Sequence, residues 1–143
     1  MSDTFNKHVK LVERIKSAHY TPPISRTMVD ILHATMGMVT ESVELLDNWK
    51  KTFFYGGRPF DTVNADEEVG DLLWYIVLYC IARAEQEDLD PIQVFARLLD
   101  ANHAKLTKRF PDRFDEDRVK MENRDTAAER AAVAEAFGKD STQ

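Results

Sequence analysis

Two pairs of acids, each spaced by three residues, stand on either side of a turn: Glu41 with Glu44, and Glu68 with Asp71. On a helix this spacing puts both members of a pair on one face, about one turn apart. Four acids brought level on two facing helices form a strongly anionic hole, because two carboxylates about 5 Å apart repel by roughly 3 kcal/mol at an effective dielectric near 20. Such a hole calls for a cation. An all-oxygen ligand set selects a hard one, magnesium or manganese.

The rest of the chain supplies the helices this requires. Residues 3–19 carry Phe5, Val9, Leu11, Val12 and Ile15 at helical spacing, and Tyr20-Thr21-Pro22-Pro23 should end that first helix, since a residue before proline is pushed out of the α region. Ser25 is a natural N-cap for a long second helix to about Phe53. Met28, Leu32, Met36, Val39, Val43 and Leu46 form one stripe of it, expected to be the core face. The opposite strip holds Asp30, His33, Gly37, Glu41, Glu44 and Asn48.

Turn residues in 54–60 break the pattern, and Asp61 or Thr62 starts a third helix to about Glu87. Asn64, Glu68, Asp71, Tyr75 and Tyr79 share one of its strips, with Val69, Leu73, Ile76, Val77 and Cys80 on the other side. Because Leu72 to Ala82 is apolar all round, this helix should be buried on several faces, in a bundle or at a subunit interface. A lone thin bundle could not cover it, so an oligomer is expected. Asp90-Pro91-Ile92-Gln93 reads as a capping box with proline at the first helical position, opening a fourth helix to about Phe110, which Pro111 stops. Residues 111–125 are charged and irregular, with Phe114, Val119 and Met121 as anchors. Thr126-Ala127-Ala128-Glu129 reads as a second capping box, opening a short fifth helix that Gly138 closes.

The expectation is therefore an all-α chain, four-helix bundle-like with a short fifth C-terminal helix. It forms a single domain over residues 1–143, with a core of about 25–114 and a C-terminal extension from 115 to 143. Five glycines and five prolines leave few breaks in long helices. A formal charge of −6 argues against a nucleic-acid polymer as partner, since phosphate backbones reward clustered Lys and Arg. Cys80 is the single cysteine, so no intrachain disulfide can form and a reducing cytoplasm fits best. No basic segment followed by an apolar one opens the chain, and no apolar run approaches the ~20 residues of a membrane span.

The ordered set Glu41-Ser-Val-Glu44, 23 residues, Glu68-Val-Gly-Asp71 resembles the signature of the MazG-like all-α nucleoside triphosphate pyrophosphohydrolases, relatives of dimeric dUTPases and dCTP pyrophosphatases. His33-Ala34, Gly37, the run to Lys50-Lys51, Leu72-Leu-Trp-Tyr75, Asn102-His-Ala-Lys-Leu106 and Arg109-Phe-Pro111 extend the likeness over roughly 27–114. The resemblance implies cleavage of a (d)NTP between its α- and β-phosphates to a (d)NMP and pyrophosphate. It implies two or three Mg2+ ions, with Mn2+ as substitute, held by Glu41, Glu44, Glu68 and Asp71. These ions would bridge phosphate oxygens and lower the pKa of an attacking water. Relatives often carry a further acid just before the first glutamate, where this chain has Thr40, so Glu41, Glu44 or Glu67 is left as general base.

Lys105 and Arg109 match the family's Asn-Lys-Arg spacing with Asn102, and Lys50, Lys51 and Arg58 are further cations for the phosphates. Tyr75 is placed to reach a phosphate or a bound water, and His33 to reach base or ribose. Trp49, Phe53, Phe54, Tyr55 and Trp74 offer a stacking wall for a nucleobase. A homodimer or homotetramer is implied, because relatives build their sites near subunit interfaces. The alternatives are a phosphoribosyl-ATP-type pyrophosphohydrolase on the same scaffold, or a non-enzymatic helical interaction protein whose acids form a solvated or partner-binding face.

Overall fold

The computed structural model of the chain describes residues 2–15 and 25–138. It contains five α-helices, α1 (Ser2–Ile15), α2 (Arg26–Phe54), α3 (Thr62–Glu87), α4 (Pro91–Arg109) and α5 (Thr126–Ala136), with two short 3-10 turns, Asp117–Val119 and Met121–Asn123, before α5. No strand occurs among the described residues. The caps explain the boundaries. Ser25 accepts the Met28 N–H, Asp61 accepts those of Val63 and Asn64, and Asp90 with Gln93 completes the expected capping box. At the end of α3, Asp88 takes the left-handed conformation (φ 53°), which closes the helix and lets α4 start three residues later.

The helices pack in sequence: α2 on α3, α3 on α4, and α4 on α5. The α2–α3 pair is an antiparallel hairpin whose register can be followed from end to end. Asn48 bonds to Asp61, Glu44 and Glu41 face Glu68, Gly37 faces Tyr75, and the Thr27 hydroxyl lies 3.4 Å from the Gln86 amide. The residues buried in this hairpin are small or polar, namely Ala34, Gly37, Asn48, Ala65 and Glu68. A Cβ added at Gly37 would overlap the Tyr75 ring, so glycine is what lets that ring lie flat on α2. Between α3 and α4, Cys80, Ala84 and Val94 make a compact apolar cluster that Ile76, Leu89 and Leu98 extend.

Three expectations need correction. The stripe Met28, Leu32, Met36, Val39, Val43, Leu46 is not the core face of the single chain. It is 49–64% exposed, and the polar strip opposite is the side that meets α3. The physical reason is packing distance: Ala34 and Gly37 allow close helix approach, whereas the bulky stripe needs a wider partner than α3. The cap of α5 is Asp125, accepting from Ala128 N–H, and not Thr126, because the Glu129 carboxylate is drawn away by two arginines. Val119 and Met121 are exposed and anchor nothing apolar, and Phe114 touches Phe110 yet stays largely in solvent. In α1, Val9, Leu11, Val12 and Ile15 are exposed, so that helix adds nothing to the core of the described residues. The expected stop at residues 20–23 lies outside the described residues.

Candidate functional site

The hairpin brings three of the four acids together. One carboxylate oxygen from each of Glu41, Glu44 and Glu68 lies within 4.8 Å of the others. Glu68 is 5% exposed, Glu41 is half-buried, and Glu44 is at the open rim. Asp71, one turn further along α3, is exposed and stands outside that set. Among the described residues no lysine or arginine lies within ion-pair distance of any of the three. The Glu68 carboxyl is held above its ordinary value of 4.5, chiefly by burial and further by the charges of Glu44 and Glu41, while a bond from Asn64 opposes the shift.

Two of the three acids have a local orienter. Thr40, in the place where relatives carry another acid, donates its hydroxyl to Glu41 Oε1 at 3.0 Å and also lies 2.9 Å from the Gly37 carbonyl. Asn64 Nδ2 donates to Glu68 Oε1 at 2.7 Å. The donor set of three carboxylates, one nearly buried and none neutralised by a cationic side chain, fits a small hard divalent cation in ligand type and in charge.

Around this cluster the structure sorts the remaining residues of the sequence reading. Tyr75 is half-buried over Gly37, with the His33 ring 5.7 Å away edge-on and Trp74 at 4.9 Å, so His33, Trp74 and Tyr75 form one aromatic corner at Gly37, one helical turn before Glu41. Trp49 stacks on Phe53 at 5.6 Å and lies 4.2 Å from Phe60, while Lys50 sits over the Tyr55 ring. Lys51 is paired with Asp47 at 2.9 Å. Its pKa is raised, first by that hydrogen bond and the Asp47 charge, with Glu44 adding a smaller pull and Arg58 opposing it. Glu67 is exposed and lies outside the acid set.

On α4 the structure separates residues that the sequence groups. Asn102 is exposed, and Lys105 lines a cleft with Arg124, Thr126 and Glu129 of the C-terminal extension. Arg109 is already engaged: its Nε and Nη2 donate to the two Glu129 oxygens at 3.1 and 2.7 Å. Arg124 grips the same carboxylate at 3.2 and 2.6 Å. This double bidentate clamp holds the Glu129 carboxyl down at about 2. Sequence reading gave Asn48 and Asn64 only a place on the polar strips and Glu129 only a place in a capping box. The signal available was spacing alone, an asparagine four residues after Glu44 and another four before Glu68.

The site is an all-α hairpin that presents facing acid turns, and the comparison with known families says which fold this is. The family model described as the MazG nucleotide pyrophosphohydrolase domain matches residues 30–114, more than half of the chain, and the protein belongs to that family. The matched span contains the whole α2–α3 hairpin turn and all four acids, and it ends before α5. Comparison with curated proteins and with solved structures finds no match. No described helix is long and apolar enough to cross a membrane.

Proposed function

We propose that the protein is a Mg2+-dependent pyrophosphohydrolase that cleaves a (d)NTP between its α- and β-phosphates, releasing a (d)NMP and pyrophosphate. The observation that carries this reading is the meeting of Glu41, Glu44 and Glu68 within 4.8 Å, inside the span that matches the family, with no cationic side chain to balance them. Glu41, Glu44 and Glu68 would hold the cation, Mn2+ replacing Mg2+, and Asp71 would join them from the next turn of α3. A cation bound there supplies charge neutralisation for the phosphates and a water of lowered pKa. Thr40 and Asn64 keep Glu41 and Glu68 aimed, so little reorganisation is needed when the phosphates arrive. Lys51, at the open end of α2, and Lys105 are the cations for the outer phosphates, with Asn102 beside Lys105. Tyr75 and His33, packed together at Gly37 one turn before Glu41, would meet sugar or base.

The exposed apolar stripe completes the reading as a homo-oligomer. Val29, Leu32, Met36, Val39, Val43 and Leu46 recur at alternating steps of three and four, the 3.5-residue period of a helix seam that packs on another helix. Val69, Leu73, Val77 and Ile81 widen the same apolar exposure on α3. A second copy of the chain offers an identical stripe, so a homodimer, or a homotetramer built from it, is the arrangement that buries both. The substrate test is a panel of common ribo- and deoxyribonucleoside triphosphates with Mg2+ or Mn2+, read by pyrophosphate release. Turnover of at least one nucleotide that disappears on chelation is expected. No pyrophosphate from any of them overturns the reading.

A further inference from the structure

The hairpin that carries the acids is tied at its turn by one side chain. Asn48 is 4% exposed, and its carboxamide faces the backbone of Asp61: Nδ2 donates to the Asp61 carbonyl at 2.6 Å and Oδ1 accepts the Asp61 N–H at 3.1 Å. A two-point bond of this kind fixes rotation as well as distance. The residue it holds is the N-cap of α3, since the Asp61 carboxylate accepts the N–H groups of Val63 and Asn64 at 3.1 Å each. Directly after that cap, Asn64 donates to Glu68. On the α2 side, Asn48 sits one turn after Glu44 on the same helix. A continuous chain of direct bonds and helix backbone therefore runs from Glu44, through Asn48, Asp61 and Asn64, to Glu68.

The sensitivity of the site to this chain follows from helix geometry. A slip of α3 by one residue moves Glu68 by about 1.5 Å along the axis and turns it by about 100°. The rotation alone turns its carboxylate away from Glu41 and Glu44, with which it now lies within 4.8 Å. Tyr75 seated on Gly37 opposes such a slip in the middle of the hairpin, while Ala34 and Ala65 offer little shape to interlock, so near the turn Asn48 adds the directional hold.

We propose that Asn48 and Asn64 are positioning residues of the cation centre: Asn48 sets the register of α3 against α2, and Asn64 aims Glu68 at Glu41 and Glu44. The inference rests on the reading of these acids as a divalent-cation site. Neither asparagine contacts the reacting atoms. At position 48 an aspartate cannot donate to the Asp61 carbonyl, and an apolar residue leaves two backbone groups unpaired.

The test is Mn2+ affinity of the full chain, measured by the electron paramagnetic resonance signal of free Mn2+, with the melting temperature of each metal-free variant in parallel. Asn64→Leu should weaken Mn2+ binding by about tenfold with little change in melting temperature. Asn48→Asp should weaken it by about tenfold or more while also lowering the melting temperature. Asn48→Ser takes its place if that variant does not fold. Val94→Ala, in the α3–α4 cluster, is the control: it should lower the melting temperature and leave Mn2+ affinity unchanged. Wild-type affinity in Asn64→Leu and in the folded Asn48 variant, or an equal loss in Val94→Ala, overturns the proposal. Absence of Mn2+ binding by folded wild-type protein is a separate outcome, which overturns the cation-site reading and the positioning role with it.

Discussion

Two glutamates are almost equally buried, each 5% exposed, and they live in opposite electrostatic worlds. Glu129, in the C-terminal extension, is held by two bidentate arginines, and its carboxyl is drawn down to about 2. Glu68, in the hairpin, has one amide donor and two carboxylate neighbours, and its carboxyl is pushed up. The difference separates a finished interaction from an unfinished one. Glu129 has its counter-charges in the chain, so it serves the fold by joining α4 to α5. Glu68 has none among the described residues, and in the proposed function a divalent cation supplies the counter-charge. Burial alone marks neither residue as functional; the balance of charge around it does.

The largest expected effect tests that division by activity. Glu68→Gln should lower turnover by roughly a hundredfold to a thousandfold, while Glu129→Gln should leave turnover near wild type in conditions where it stays folded. Pyrophosphate release with the best nucleotide of the panel measures both, and equal losses would erase the distinction. Cation linkage comes next. Mn2+ at a hundredfold excess over its dissociation constant should stabilise wild type by about 2.7 kcal/mol. Thermal denaturation should show that gain kept in Glu129→Gln and much reduced in Glu68→Gln.

In the absence of metal the two substitutions should move stability in opposite directions. Glu129→Ala strands two arginines beside α5 and should lower the melting temperature by several degrees, whereas Glu68→Gln relieves crowded negative charge and should raise it slightly. The smallest effect is the pH dependence. The folded carboxyl of Glu129 titrates at about 2 against an ordinary 4.5, so its stabilising contribution is present above pH 4.5 and is lost as pH falls towards 2. Glu68 runs the other way: with a folded pKa above 4.5, its contribution is complete below that value and is lost as pH rises through the raised one. Acid titrations followed by circular dichroism should therefore show a flatter profile between pH 4.5 and 2 for Glu129→Gln than for wild type.

The helices were readable in the sequence because their signals are local. Ser25, Asp61 and Asp90 cap where their hydrogen-bonding chemistry places them, and the acid spacing alone puts Glu41, Glu44 and Glu68 on facing strips. What periodicity could not settle is which strip of an amphipathic helix turns towards its own chain. The usual rule sends Met36, Val39 and Val43 inward, yet Gly37 and Ala34 decide the hairpin contact, since they permit the closer approach. The clamps of Asn48 and Glu129 were equally out of reach, because each depends on a partner 13 or 20 residues away whose direction is set only once the helices have packed.

The outward-facing seam on α2 has a practical corollary. Six large apolar side chains of one helix face water in the single chain, and in the proposed homo-oligomer their burial is a mass-action step on which activity would depend. Specific activity should then fall when the protein is diluted below the dissociation constant of the oligomer, and recover on reconcentration, so that enzyme concentration acts as a hidden reagent in every assay.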